Sequence, residues 1–147
     1  MAIILAFIVA LIVHGIWYFY LGSLWREYNL LNERILSEKV SVAPFLYTIL
    51  SYLVVFNLMA WIFTKIPVSN AFQGMGLGGL FACGFYVSVL FGQNEFALRP
   101  IETAFIDGGV IVVSWMIGGL ILGAWKKYDL IEPDESQSNL PEPTMNL

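Results

Sequence analysis

The chain has 147 residues, of which 59% are hydrophobic and 12% charged, with a formal net charge of -4. Soluble domains carry about 25% charged residues, so this composition, with a mean hydropathy of +0.75, excludes them and predicts an integral membrane protein. The acidic balance says little about partners, because Glu132, Asp134, Glu135 and Glu142 all lie in the last sixteen residues, and no basic patch invites nucleic acid.

Residues 2–22 form the first apolar run. No Lys or Arg precedes it and no small-x-small cleavage pattern follows it, so it reads as a retained span and not as a secretory signal. The next stretch, "SLWREYNLLNERILSEKVS", repeats Leu24, Tyr28, Leu31 and Ile35 at helical spacing, with Arg26, Glu27, Glu33, Arg34 and Glu38 on the other face. Such a pattern predicts an amphipathic helix over about residues 24–38 lying in the headgroup region between the first and second spans, with Trp25 and Tyr28 at the interface.

A second span covers residues 43–64, opening on Ala43-Pro44, where a first-turn proline forfeits no hydrogen bond. After the turn "KIPVSN", residues 71–91 make a third span with five glycines between Gly74 and Gly84. A polar loop, "GQNEFALRP", leads to a fourth span over residues 101–124, closed by Trp125, Lys126 and Lys127. The expected architecture is therefore all-α: one four-helix membrane domain over residues 1–128, and a Pro-, Ser- and acid-rich tail, 129–147, expected to be disordered.

Few residues in these spans could carry chemistry. Gly74, Gly76 and Gly79 spell GxGxxG, but inside an apolar span with no preceding strand they cannot make a dinucleotide-binding turn. The better account is packing: Gly74 and Gly78, like Gly119 and Gly123, clear one helix face for close approach of another backbone, in the same chain or in a second copy. Cys83, the one cysteine, has no partner for a disulfide, a zinc site or a redox pair. His14, the one histidine, cannot complete a metal site within one chain. No metal or other cofactor is called for.

Ionisable groups inside a bilayer are functional candidates by default. At about 1.5 Å per residue, His14 falls about 3 Å from the midplane and Asp107 about 7 Å, both toward the side on which the first span ends. Trp17 and Tyr18 share Asp107's depth, Asn57 lies in the opposite half, and Arg99 and Glu102 are shallower. The expected candidate site is thus Asp107 facing the bundle interior and pairing with His14 or with the Trp17 and Tyr18 donors. The competing account makes Asp107 a first-turn carboxylate of a fourth helix that effectively starts there.

Two segments carry a resemblance. "HGIWYFYLGSLW", His14 to Trp25, and "FIDGGVIVVSWMIGGLILGAW", Phe105 to Trp125, are similar to the two ends of a family of small bacterial four-span membrane proteins catalogued only as a domain of unknown function. The resemblance implies four helices and a bacterial inner membrane, and it implies no activity and no site residues.

Three classes of function follow. The first is a structural or accessory subunit, or assembly factor, of a membrane complex, favoured by the absence of a catalytic constellation and by the glycine faces. Next comes a small oligomeric transporter or channel using His14 and Asp107. An enzyme acting on lipid or quinone ranks last, since no nucleophile, base and orienting group occur together. The partners expected are membrane lipids and, through the small faces, a second copy or a larger complex. Lys and Arg are nearly balanced across the two sides, Arg26, Arg34, Lys39 and Arg99 against Lys65, Lys126 and Lys127. By the positive-inside rule this leans toward both termini lying outside the cytoplasm.

Overall fold

The computed structural model describes residues 1–29 and 41–125, and among them every regular element is helical. Four helices are long and apolar enough to cross a membrane: α1 (Ala2–Tyr28), α2 (Ala43–Lys65), α3 (Ala71–Phe96) and α4 (Ile101–Ala124). In hydrocarbon the backbone must satisfy its own hydrogen bonds, which is why uninterrupted helices are the solution for runs of this composition.

Local chemistry sets the ends. The Ser41 hydroxyl accepts the Ala43 N–H at 3.1 Å, and Pro44 occupies the first turn of α2. That helix stops at Ile66, held extended (φ -109°, ψ 141°) because Pro67 follows it. Asn70 caps α3 by accepting the Gln73 N–H at 2.9 Å, while the Gln73 side chain reaches back to the Ser69 N–H and hydroxyl at 2.8 and 2.6 Å. Between α3 and α4 the buried Asn94 amide donates to the carbonyls of Arg99 and Pro100 at 3.0 and 2.9 Å. Leu98 takes a left-handed conformation, φ 53°, to reverse the chain.

Two boundaries differ from the sequence expectation. The first helix runs on through Leu24–Tyr28, so these residues belong to α1 and not to a separate interfacial helix. Gly22 and Ser23 do not break a helix whose neighbours all support one. The remainder of the expected interfacial helix, 30–38, and the tail, 129–147, lie outside the described residues. The third helix continues to Phe96 through most of the expected polar loop, because Asn94 satisfies the turn from inside. In its middle, Ala82–Val87 are wound as a π-helix, a local widening that no residue type in the segment announces.

The fourth helix is the centre of the bundle. Within its most apolar window 39% of residues are buried, against 11% to 17% for the other three. Its glycines explain how three neighbours fit around one helix. Toward α3, Gly119 and Gly74 meet backbone to backbone: a Cβ added to either would collide with the other's carbonyl oxygen. One turn away on each side, Gly78 rests on the Trp115 carbonyl and Gly123 on that of Asn70. The four glycines read as a packing face therefore meet one another within one chain. Gly109 lies under the Trp17 ring of α1, and Gly118 under the Phe56 ring of α2. With lipid as apolar as any side chain, such close van der Waals contact is what draws helices together.

Helix α2 packs along one stripe, Tyr52, Phe56, Met59 and Phe63, all buried and all in its later two-thirds. They join Ala6, Ala10, Val68 and Leu122 in the main core. Its first turns behave differently: Phe45, Leu46 and Tyr47 are exposed. Among the described residues, the half of the bundle where α1 ends and α2 begins is therefore the less closely packed one.

Candidate functional site

Two consecutive residues of α1 bind two consecutive residues of α4. The Trp17 indole N–H donates to the Ile106 carbonyl at 3.0 Å, and the Tyr18 hydroxyl donates to Asp107 Oδ1 at 2.5 Å. Both bonds fix the rotation and the register of one helix against the other. Small residues make them reachable: a Cβ at Gly109 would collide with the Trp17 ring, so glycine there lets the indole close on α4.

Asp107 does not cap its helix. The helix α4 begins at Ile101, six residues earlier, with Pro100 at its N-cap position, and the carboxylate crosses to α1 instead of turning back on its own first turn.

His14, one turn before Tyr18, packs its ring on the tyrosine ring with centroids 5.0 Å apart. Its Nδ1 lies 3.2 Å from the Tyr52 hydroxyl of α2. Among the described residues no direct hydrogen bond joins His14 to Asp107; Tyr18 stands against both. The Tyr52 ring in turn stacks on Phe56 at 5.7 Å. Trp25 meets Tyr18 edge to face at 5.9 Å, and Tyr86, in the π-wound segment, lies 6.4 Å from Trp115.

These side chains line a cavity of about 580 Å³, with His14, Tyr18, Tyr52, Tyr86 and Asp107 on its wall. That lies within the range of about 300–1,000 Å³ found for small-molecule sites. A groove of about 710 Å³ between α1 and the start of α2 adjoins it and shares His14, Tyr18, Trp25 and Thr48. The groove is otherwise floored by Leu11, Gly15, Gly22, Phe45 and Ile49, with Arg26 on its rim. Among the described residues no three His, Cys, Asp or Glu side chains converge to hold a metal ion.

Of the residues singled out in the sequence, His14, Tyr18 and Asp107 meet at the cavity, whereas Trp17 points its indole at a backbone carbonyl beside it. Asn57 is exposed and donates to the Leu53 carbonyl of its own helix. Arg99 and Glu102 are exposed. Sequence reasoning missed Tyr52 and Tyr86, though the signal was present. Each lies only two or three residues from the middle of its helix, about 3–4 Å in depth on the His14 side, and a tyrosine tip at that depth needs a polar partner.

No curated protein and no solved structure matches the chain. Residues 1–123 match the family described as a protein of unknown function, DUF1761. That match takes in α1, α2 and α3 whole and α4 to within its last residue, so the chain, a multi-pass membrane protein by its four apolar helices, belongs to the DUF1761 family.

Proposed function

We propose that the chain is a small transport-type membrane protein that takes an amphipathic small molecule from the bilayer into a polar intramembrane site, in the inner membrane of a bacterium. The observation that carries this reading is the cavity itself, which gathers His14, Tyr18, Tyr52, Tyr86 and Asp107 from all four helices and adjoins a groove between α1 and α2. Polar side chains from four helices turned toward one intramembrane volume need polar partners there, since an unpaired polar group in hydrocarbon costs several kcal/mol.

The accessory-subunit reading drew on the glycine faces as a surface for a partner. Gly74, Gly78, Gly119 and Gly123 are engaged with each other inside the chain, so that support falls away, and a homo-oligomer would need another surface.

Purification in mild detergent, followed by mass spectrometry of what denaturation releases, tests the proposal. Wild-type protein carries a small molecule at near-stoichiometric level, and Thr48→Trp, which adds bulk at a position lining both groove and cavity, loses it. A tight protein partner with no released small molecule in either form overturns the reading in favour of an accessory subunit.

A further inference from the structure

Resting on the ligand-site reading above, we infer that the cavity takes an organic cation, a hydrophobic amine or quaternary onium, with Asp107 as counter-ion and the surrounding rings as a cage. Among the described residues Asp107 is the one acidic group on the cavity wall, and no Lys or Arg stands there. Tyr18 occupies Oδ1. A carboxylate offers about four lone-pair positions on two oxygens, and Oδ2 has no hydrogen-bond partner among the described residues.

The cavity is also lined by the rings of Tyr18, Trp25, Tyr47, Tyr52, Tyr86 and Trp115. Aromatic faces carry negative potential, so a cation is attracted to them, and more strongly once water is excluded. The same faces repel an anion, and a neutral guest gains at most a hydrogen bond from the carboxylate, whereas a cation gains from both the carboxylate's charge and the ring faces. A bare metal cation fits poorly, because hard ions want six or more oxygen ligands, and this wall presents rings and scattered hydroxyls. The adjoining groove suits the apolar part of the guest: Leu11, Gly15, Phe45 and Ile49 accept hydrocarbon, and Arg26 at the rim suits lipid phosphate.

His14 is the one basic side chain on the cavity wall. Protonated, it would offset the Asp107 carboxylate, so a bound cation favours neutral His14.

The test compares tetraphenylphosphonium with tetraphenylborate, ions of matched size and opposite charge, by equilibrium dialysis against full-length protein in lipid nanodiscs, with empty nanodiscs subtracted. Saturable binding of the phosphonium and none of the borate is expected. Asp107→Asn, checked for an unchanged gel-filtration profile, weakens the phosphonium by about tenfold or more, and Asp107→Glu keeps part of the affinity. Should Asp107→Asn fail to fold, Tyr86→Leu carries the test, weakening the phosphonium by about threefold or more. Equal binding of both ions, or phosphonium binding indifferent to these changes, overturns the cation assignment while leaving the ligand site standing. Absence of saturable binding of either ion, with a co-purified small molecule that is neutral or anionic, also overturns it. If no small molecule is released either, the ligand-site reading falls with it.

Discussion

Tyr18 and Asp107, 89 residues apart in sequence, share a 2.5 Å hydrogen bond from the tyrosine hydroxyl to the carboxylate that joins the first helix to the last. It sits beside the Trp17 to Ile106 bond, so neighbouring donors on α1 reach neighbouring acceptors on α4. A lipid-facing carboxylate near mid-membrane costs about 2.5–3.5 kcal/mol, and this arrangement turns it inward.

Removing the donor is expected to destabilise the bundle modestly. Interhelical hydrogen bonds in membranes contribute about 0.6 kcal/mol on average and up to about 1.7, so Tyr18→Phe loses about 1 kcal/mol. In a double-mutant cycle with Asp107→Asn, followed by thermal unfolding in detergent, the two changes are non-additive. Strict additivity would mean that the bond contributes nothing.

The glycines separate into two groups. Gly119→Ala drives a Cβ into the Gly74 carbonyl, where only backbone movement can relieve it, and loses about 1–3 kcal/mol. A Cβ at Gly76, on the same α3 helix as Gly74, meets nothing within 4 Å, so Gly76→Ala is neutral or stabilising by up to about 1 kcal/mol. Melting temperatures of the two variants in one detergent decide the matter, and equal values would remove the packing role from Gly119.

Cation binding at the cavity is expected to weaken as the pH falls. Among the described residues, the titratable groups that line the cavity with Asp107 are His14 and Tyr18 from α1, Tyr47 and Tyr52 from α2, and Tyr86 from α3. Tyrosines stay uncharged through the neutral range. Among the described residues the wall therefore carries at most one negative charge, and a proton added to His14, the side chain that titrates nearest neutrality, offsets it. Phosphonium binding measured between pH 8 and pH 5, as in about six half-unit steps, falls toward the acid end; a rise on acidification contradicts the charge assignment.

Topology can be read by reporter fusion. In the sequence, Arg26, Arg34, Lys39 and Arg99 flank one set of span ends and Lys65, Lys126 and Lys127 the other, a near balance from which the positive-inside rule leads us to expect the termini outside the cytoplasm. A phosphatase fused after Leu147 is active and a fluorescent reporter at the same point is dark. The reverse pattern places the termini inside, and activity of both reporters indicates dual insertion.

Number, order and approximate position of the four helices were legible in the sequence because each is a local property. A run of about twenty apolar residues is long enough to span hydrocarbon, and no other backbone form satisfies itself there. Depth was legible for the same reason, since rise per residue is constant; His14, Tyr18 and Asp107 could be assigned to one half of the bundle from their positions alone. Rotation was not. In water a helix announces its buried face by amphipathicity, but here all faces of α1 to α4 are apolar and lipid offers no contrast; the glycines marked a close-packing face on α3 and on α4, yet nothing in the sequence told whether each meets the other or a second copy. Only the packed bundle decided that Gly74 meets Gly119 inside one chain, that Tyr18 and not His14 bonds to Asp107, and that Tyr52 and Tyr86 complete the wall. The π-wound turn at Ala82–Val87, which holds Tyr86, belongs with these: it concerns one extra residue accommodated within a turn, and local propensity does not encode it.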